Sequence, residues 1–345
     1  MATYTHISVR GARRRTITAV ALAAALTAFG VSKAATGASA TGRKTATASY
    51  NWPVKPFEKQ HPVRGSFGDP RTIFNAAPTL DGVLLGGGRF EFHKGVDISA
   101  PNGSAVYPVV SGVVTQVNTR DLWVEVDSGG GRIFEYWHIH AAVGVGWTVE
   151  TGKTVLGHIA RPAAHVHLSE LNGGEYVNPL APGHLGPYDD QTTPRVTSIS
   201  FRTSETGRDQ LPNRINGRVL LVAGAEDDPT ISAPGAWHGL PVAPAFVTWK
   251  IRTWTGKVVL GVQTAADFRR RLPGWNLWSV YARGTYQNMA VLGQHYSWAQ
   301  PGSYLFRLGT LNTRRLGNGT YDLVVTATDV RGNSSSMTRR FTIKN

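Results

Sequence analysis

Cysteine is absent from all 345 residues, which excludes disulfides, a thiolate metal site and a lipid-modified cysteine near the N-terminus. Any metal must therefore be held by histidine and carboxylate. Acidic side chains are also scarce, 22 against 36 Lys and Arg, and the formal net charge is +14. Long apolar runs are missing apart from Ile17 to Val31, and beyond that run no stretch keeps a helical period over ten or more residues. A helical bundle is thereby excluded. What is present, 41% apolar residues with 39 Gly and 19 Pro, fits a β-rich globular protein of two domains.

Residues 1–40 read as an export signal, with Arg10, Arg13, Arg14 and Arg15 ahead of the apolar run and small-residue cut sites at Ser32-Lys33-Ala34 or Ala38-Ser39-Ala40. About 15 apolar residues are short for a bilayer span of about 20, so no stable membrane span is expected after cleavage. The expected location is outside the cell. Charge then divides the rest of the chain. Residues 50–190 carry 10 basic and 14 acidic side chains, net −4, whereas 191–345 carry 19 basic and 8 acidic, net +11. The turn-rich stretch 186–194 between them reads as a linker, which gives domains at 50–187 and 195–345.

In the first domain, apolar or alternating runs at 105–110, 112–117, 122–127, 132–140, 154–159 and 164–171 read as short antiparallel strands, with Gly129, Gly130 and Gly131 in a tight hairpin. If 132–140 is one extended strand, Phe134, Tyr136, His138 and His140 share a face. By the same alternation His165 and His167 point to one side of their strand. His-Lys-Gly-Val-Asp at 93–97, His138 and His-Val-His at 165–167 together supply a metal ligand set and leave two imidazoles for acid–base work, which is what amide hydrolysis requires. His140, His158 and His184 match no such role and are expected to be solvated or simply hydrogen-bonded.

Those motifs occur in a recognisable order. Arg64-Gly65-Ser66-Phe67-Gly68-Asp69-Pro70-Arg71 comes first, then Phe92 to Gly103 running into Val106 to Val114. Tyr136-Trp137-His138-Ile139, His165-Val166-His167-Leu168 and Val177-Asn178-Pro179-Leu180 follow. Residues 63–180 so resemble the lysostaphin and LytM type of zinc peptidoglycan endopeptidases. The resemblance implies an all-β domain with Zn²⁺ held by His93, Asp97 and His167, and His138 and His165 as the catalytic imidazoles, without saying which is the general base. Three protein ligands leave a fourth position for water, the open coordination of a catalytic zinc. Peptidoglycan would be the substrate, and the competing reading is an inactive relative that binds the wall or activates other hydrolases. Two departures from the family pattern stand out. Ile159 to Ala164 replaces a run rich in Gly, Ser and Thr, and Ser169 stands where an acid is usual, with Glu170 one position later. Thr72 to Glu91, with Gly86-Gly87-Gly88, reads as a flexible loop beside the cleft.

Seven strand-like runs in 195–345, with turns such as Gly317-Asn318-Gly319, predict two antiparallel sheets, and the segment 319–333 resembles the last hairpin of bacterial immunoglobulin-like domains. Its +11 charge and five tryptophans expected at the surface, Trp237, Trp254, Trp275, Trp278 and Trp298, would suit anionic wall polymers or glycans. Nucleic acid is not an expected partner for an exported chain.

Overall fold

The computed structural model describes residues 50–73, 89–204, 207–274, 276–288 and 301–345. The expected export signal, Gly86 to Gly88, Trp275 and Trp298 lie outside them. Regular structure is almost entirely antiparallel β, as the sequence predicts. No helix among the described residues is long and apolar enough to cross a membrane.

The first lobe contributes β1 (Val63–Gly65), β2 (Pro70–Ile73), β3 (Arg89–Phe92), β4 (Val96–Ser99), β5 (Ala105–Val106), β6 (Gly112–Asn118), β7 (Trp123–Asp127), β8 (Arg132–Trp137), β9 (Ile139–Ala141), β10 (Thr148–Val149), β11 (Gly157–Ile159), β12 (His165–Asn172) and β13 (Glu175–Val177). Its main sheet runs β1-β4-β12-β8-β7-β6-β10, with β13 added to β12; β5, β11 and β9 form a smaller sheet, and β2 pairs with β3. Both ends of the expected 72–91 loop are therefore strand, and 74–88 lies outside the described residues.

Period-two alternation explains how the central strands sort their side chains. Val96 and Ile98 on β4 and Val166 and Leu168 on β12 are wholly buried and face the core. Asp97, His165 and His167 therefore emerge on the opposite side, and His167 sits directly across the ladder from Asp97. Gly129, Gly130 and Gly131 take positive φ between β7 and β8, the hairpin their spacing predicts.

One expectation is overturned. Residues 132–140 are not one strand: His138 adopts φ +66°, the ladder breaks there, and β9 leaves for the small sheet. His138 consequently does not share a ladder face with Tyr136, which is buried and donates no partner to the cleft, its hydroxyl instead accepting from Val109 N–H at 2.8 Å. His140 is exposed and pairs in register with His158.

The second lobe holds β14 (Arg195–Arg202), β15 (Arg218–Glu226), β16 (Phe246–Thr253), β17 (Val258–Asp267), the short helix α1 (Leu277–Val280), β18 (Leu305–Asn312), β19 (Gly319–Thr328) and β20 (Ser334–Ile343). The seven strands make sheets ordered β14-β15-β18 and β17-β16-β19-β20. Leu221, Ile251, Leu323, Val325 and Phe341 fill the space between them. Tyr321, near the start of β19, donates its hydroxyl back to the Leu316 carbonyl at 2.5 Å. Of the expected surface tryptophans described, only Trp254 is open to solvent; Trp237 and Trp278 are half-buried, with Arg64 and Arg283 over their rings.

The two lobes share one hydrophobic cluster. Phe268 packs on Phe92, with ring centroids 5.6 Å apart, and Asn178 donates its side-chain N–H to the Phe268 carbonyl. The stretch 186–194 is tied to both lobes: Trp52 donates to the Pro187 carbonyl and Asn333 to the Asp190 carbonyl.

Candidate metal centre

β12 and β4 deliver His167 and Asp97, and the residue after β3 is His93. His93 Nε2, Asp97 Oδ1 and His167 Nδ1 converge into a triangle with sides of 3.0, 3.0 and 2.7 Å. Each imidazole is pinned through its other nitrogen. His93 Nδ1 lies 2.8 Å from the Ser66 carbonyl, closer than its 3.2 Å to the Arg71 guanidinium, and His167 Nε2 lies 2.9 Å from Ser169 Oγ; a proton on each of these nitrogens suits the shorter contacts. With those protons placed, three lone pairs point at one another across about 3 Å, an arrangement that repels itself unless a cation lies between them. A tetrahedral ion with bonds of about 2.0–2.1 Å holds its ligands about 3.3 Å apart, so an outward adjustment of a few tenths of an ångström seats one. The donor set, two imidazoles and one carboxylate, fits zinc.

Charge is arranged to keep that carboxylate ionised. Burial alone would raise Asp97, but its neighbours, the permanently charged Arg71 among them, hold it well below the usual carboxylate range. Arg71 donates to Asp97 Oδ2 at 3.0 Å and leaves Oδ1 for the triangle. Burial, together with the Arg71 charge, pulls His93 down to about 3, so it is neutral with a free lone pair. Gly65, opposite Asp97 in the ladder, leaves the space this needs: a β-carbon there would lie 2.1 Å from the Arg71 guanidinium and 2.7 Å from Asp97 Oδ2.

His138 and His165 stand beside the triangle with ring centroids 4.5 Å apart. Burial first, then the neighbouring His165, pulls His138 down to about 3, so it too is neutral. His165 Nε2 lies 3.5 Å from Asp97 Oδ1, and its Nδ1 lies 2.7 Å from the Ala163 carbonyl and 2.6 Å from the Arg64 guanidinium. Donation to Ala163 leaves Nε2 a lone pair facing the site, whereas donation from Arg64 puts the proton on Nε2. The site opens into a groove of about 240 Å³ with Trp137 and Tyr176 as aromatic walls and Glu91, Glu135 and Lys94 on its rim. Trp137 and Tyr176 both donate to Glu135, at 3.1 and 3.2 Å.

Residues 91–179 match the sequence model described as Peptidase family M23. That segment holds all five histidine and aspartate positions singled out above. No match is found among curated proteins. Parts of the chain are similar to solved structures. The SpoIIQ–SpoIIIAH pore-forming complex is 20% identical over 39% of this chain and 90% of that one, with TM-score 0.31. A zinc-containing peptidase from Vibrio cholerae is 23% identical over 37% and 38%, with TM-score 0.29. The catalytic domain of the antimicrobial peptidase lysostaphin from Staphylococcus simulans is 20% identical over 26% and 77%, with TM-score 0.24.

Four side chains and one carbonyl that shape the site carry no role in the sequence reading: Arg64, Asp69, Arg71, Ser169 and the Ser66 carbonyl. All but Ser169 precede the M23 match, inside the 64–71 segment whose resemblance is visible but whose contacts are tertiary. Asp69 is wholly buried; it accepts from Ser66 N–H at 3.0 Å and from Ala243 N–H of the second lobe at 2.8 Å, and so anchors the loop that holds His93. The departure at 169–170 also acquires a structural meaning. Ser169 faces His167, while Glu170 points to the other side of β12, where Tyr50, Arg132 and His184 donate to it at 2.6, 2.8 and 2.7 Å.

Proposed function

We propose that this chain is an exported zinc endopeptidase that hydrolyses peptide bonds in the stems or cross-bridges of peptidoglycan. The observation that carries the reading is the triangle of His93, Asp97 and His167, three convergent lone pairs whose outer atoms are already pinned. Bound there, Zn²⁺ would polarise the scissile carbonyl and acidify a water in its open position. The chain's own residues do the rest. A neutral imidazole next to the triangle takes the proton of the attacking water, and the neighbouring ring directs an N–H at the developing oxyanion. His138 and His165 share these tasks. His165 can act as the acceptor only in the tautomer that donates Nδ1–H to Ala163, so Arg64 is placed to govern when it does.

The groove supports a peptide substrate: Trp137 and Tyr176 offer apolar walls, and Glu91 and Glu135 offer acceptors for amide or amine N–H. Residues 195–345 we read as an immunoglobulin-like accessory domain, supported by the division of seven strands over two sheets and by the Tyr321 hydroxyl turned back on Leu316.

Mass analysis of muropeptides after digestion of purified peptidoglycan tests the reading and names the bond cut. Cleavage should be lost with a zinc chelator and in His138→Ala or His165→Ala. Wall binding without any new muropeptide would favour the non-catalytic reading.

A further inference from the structure

Three buried carboxylates meet where the lobes join. Asp190 lies in the connection between them, Asp227 directly follows β15 and Asp329 directly follows β19. None is more than 7% exposed, and one ligand atom from each lies within 4.8 Å of the others. Among the described residues no Lys or Arg forms an ion pair with any of the three. Asp190 and Asp329 are both hydrogen-bonded, mostly through Oδ1, while the Oδ2 of each accepts a single donor. Asp190 accepts from the hydroxyls of Thr192, Thr230 and Tyr188, and Asp329 from the backbone N–H groups of residues 331–333 and the Asn333 side chain.

Asp227 is different. Its Oδ1 is buried and has no hydrogen-bond partner. Asp227 and Asp190 both line a small cavity of about 20 Å³, whose other walls include Phe67 and Leu180 from the first lobe and Ala243 and Val330 from the second. Burial, then the charges of Asp190, Asp329 and Asp228, pushes the Asp227 carboxyl up to about 8. A lone acceptor buried among negative charges is costly unless something positive meets it.

We propose that Asp190, Asp227 and Asp329 form a structural Ca²⁺ site that fastens the two lobes together. Donors that are oxygen only select a hard cation over zinc. Ligands of one Ca²⁺, bonded at 2.3–2.6 Å, stand at most about 5.2 Å apart, so oxygens that all lie within 4.8 Å of one another can share one ion. Mg²⁺ keeps several waters, for which a cavity of one water's size has no room. The site is separate from the His93 triangle and does not depend on what that triangle binds.

Isothermal calorimetry and thermal melting of the full chain, first stripped with a chelator, then titrated with CaCl₂ or MgCl₂ alone, test this. The expected result is one Ca²⁺ per chain and a Tm rise of about 5 °C at a hundredfold excess over the dissociation constant, with a smaller response to Mg²⁺. Asp227→Asn should remove both signals yet melt no lower than the ion-free wild type, because an amide needs no counter-charge. Asp97→Asn should keep both. Absence of Ca²⁺ heat in the wild type overturns the proposal, and Asp227 then holds a proton. A Ca²⁺ response that survives Asp227→Asn, or is lost in Asp97→Asn, places the ion elsewhere and equally overturns it. Should Asp227→Asn fail to fold, the wild-type and Asp97→Asn titrations decide alone.

Discussion

Ser169 shows how a single hydroxyl can stand in for an acid. It accepts the Nε2 proton of His167 and so leaves Nδ1 free for the triangle, a task that a carboxylate would perform with more charge and no greater reach. Ser169→Ala should lower zinc affinity by about 10–100-fold, as read by competition with a chromophoric chelator, with the melting curve of the metal-free chain little changed. Unaltered affinity would show that the His167 ring is held by β12 alone. His138→Ala and His165→Ala test the neighbouring roles: each should reduce kcat by about 10²–10⁴ while zinc content stays at one per chain. The five motif positions were visible as spacing and family pattern, because ligands must be His or Asp. Their supports were not, because a backbone carbonyl such as that of Ser66 has no sequence signature, and Arg71 is one of 36 cationic side chains until the fold places it beside Asp97.

At the scale of an element, β12 serves two sites from its two faces. His167 and Ser169 turn to the groove, and Glu170 turns to an internal network that fixes Tyr50 and His184 against the sheet. Burial raises the Glu170 carboxyl, but the hydrogen bonds and charges of His184, Tyr50 and Arg132 outweigh it and leave the group below its ordinary value of 4.5. The stabilisation it brings is therefore complete above that value and fades as pH falls through the folded pKa. Glu170→Gln should cost about 2–4 kcal/mol at pH 7, and the gap between variant and wild type should narrow below pH 4.5 in denaturant titrations at several pH values. A gap constant with pH would mean that the loss is one of packing. Gly95, just before β4, is the matching test of strand approach: a β-carbon there would lie 2.2 Å from the Leu168 carbonyl. Gly95→Ala should push β4 from β12 and weaken metal binding along with stability. The strands themselves were legible because alternation and glycine turns mark them. The break at His138 was not, since period two says which face a residue takes within a strand and nothing of where the chain leaves a sheet.

Across the whole molecule, the 64–71 loop that supports the candidate centre is braced by the second lobe. Besides Ala243 on Asp69, the Tyr281 hydroxyl donates to the Gly68 carbonyl at 2.9 Å and the Asn288 amide donates to the Arg64 carbonyl at 2.5 Å. Phe268 stands at the centre of this seam, fully buried against Phe92 and over Gly68. Phe268→Ala should cost about 3–5 kcal/mol and speed amide exchange in residues 64–71 despite leaving every ligand in place; unchanged exchange there would show the loop to be held by its own lobe. Alternation and turn residues made the seven strands of residues 195–345 readable in the sequence. The seam between the lobes was not readable, because Asn178, Asn288 and Tyr281 follow no period and acquire partners only when two distant surfaces meet. The central claim, that His93, Asp97 and His167 grip one zinc ion, is tested most directly by anomalous diffraction at the zinc edge from crystals of the full chain. The account predicts one strong peak about 2.0–2.1 Å from His93 Nε2, Asp97 Oδ1 and His167 Nδ1, beside the rings of His138 and His165. Zinc bound elsewhere, or zinc-soaked crystals with no peak at that point, would contradict it.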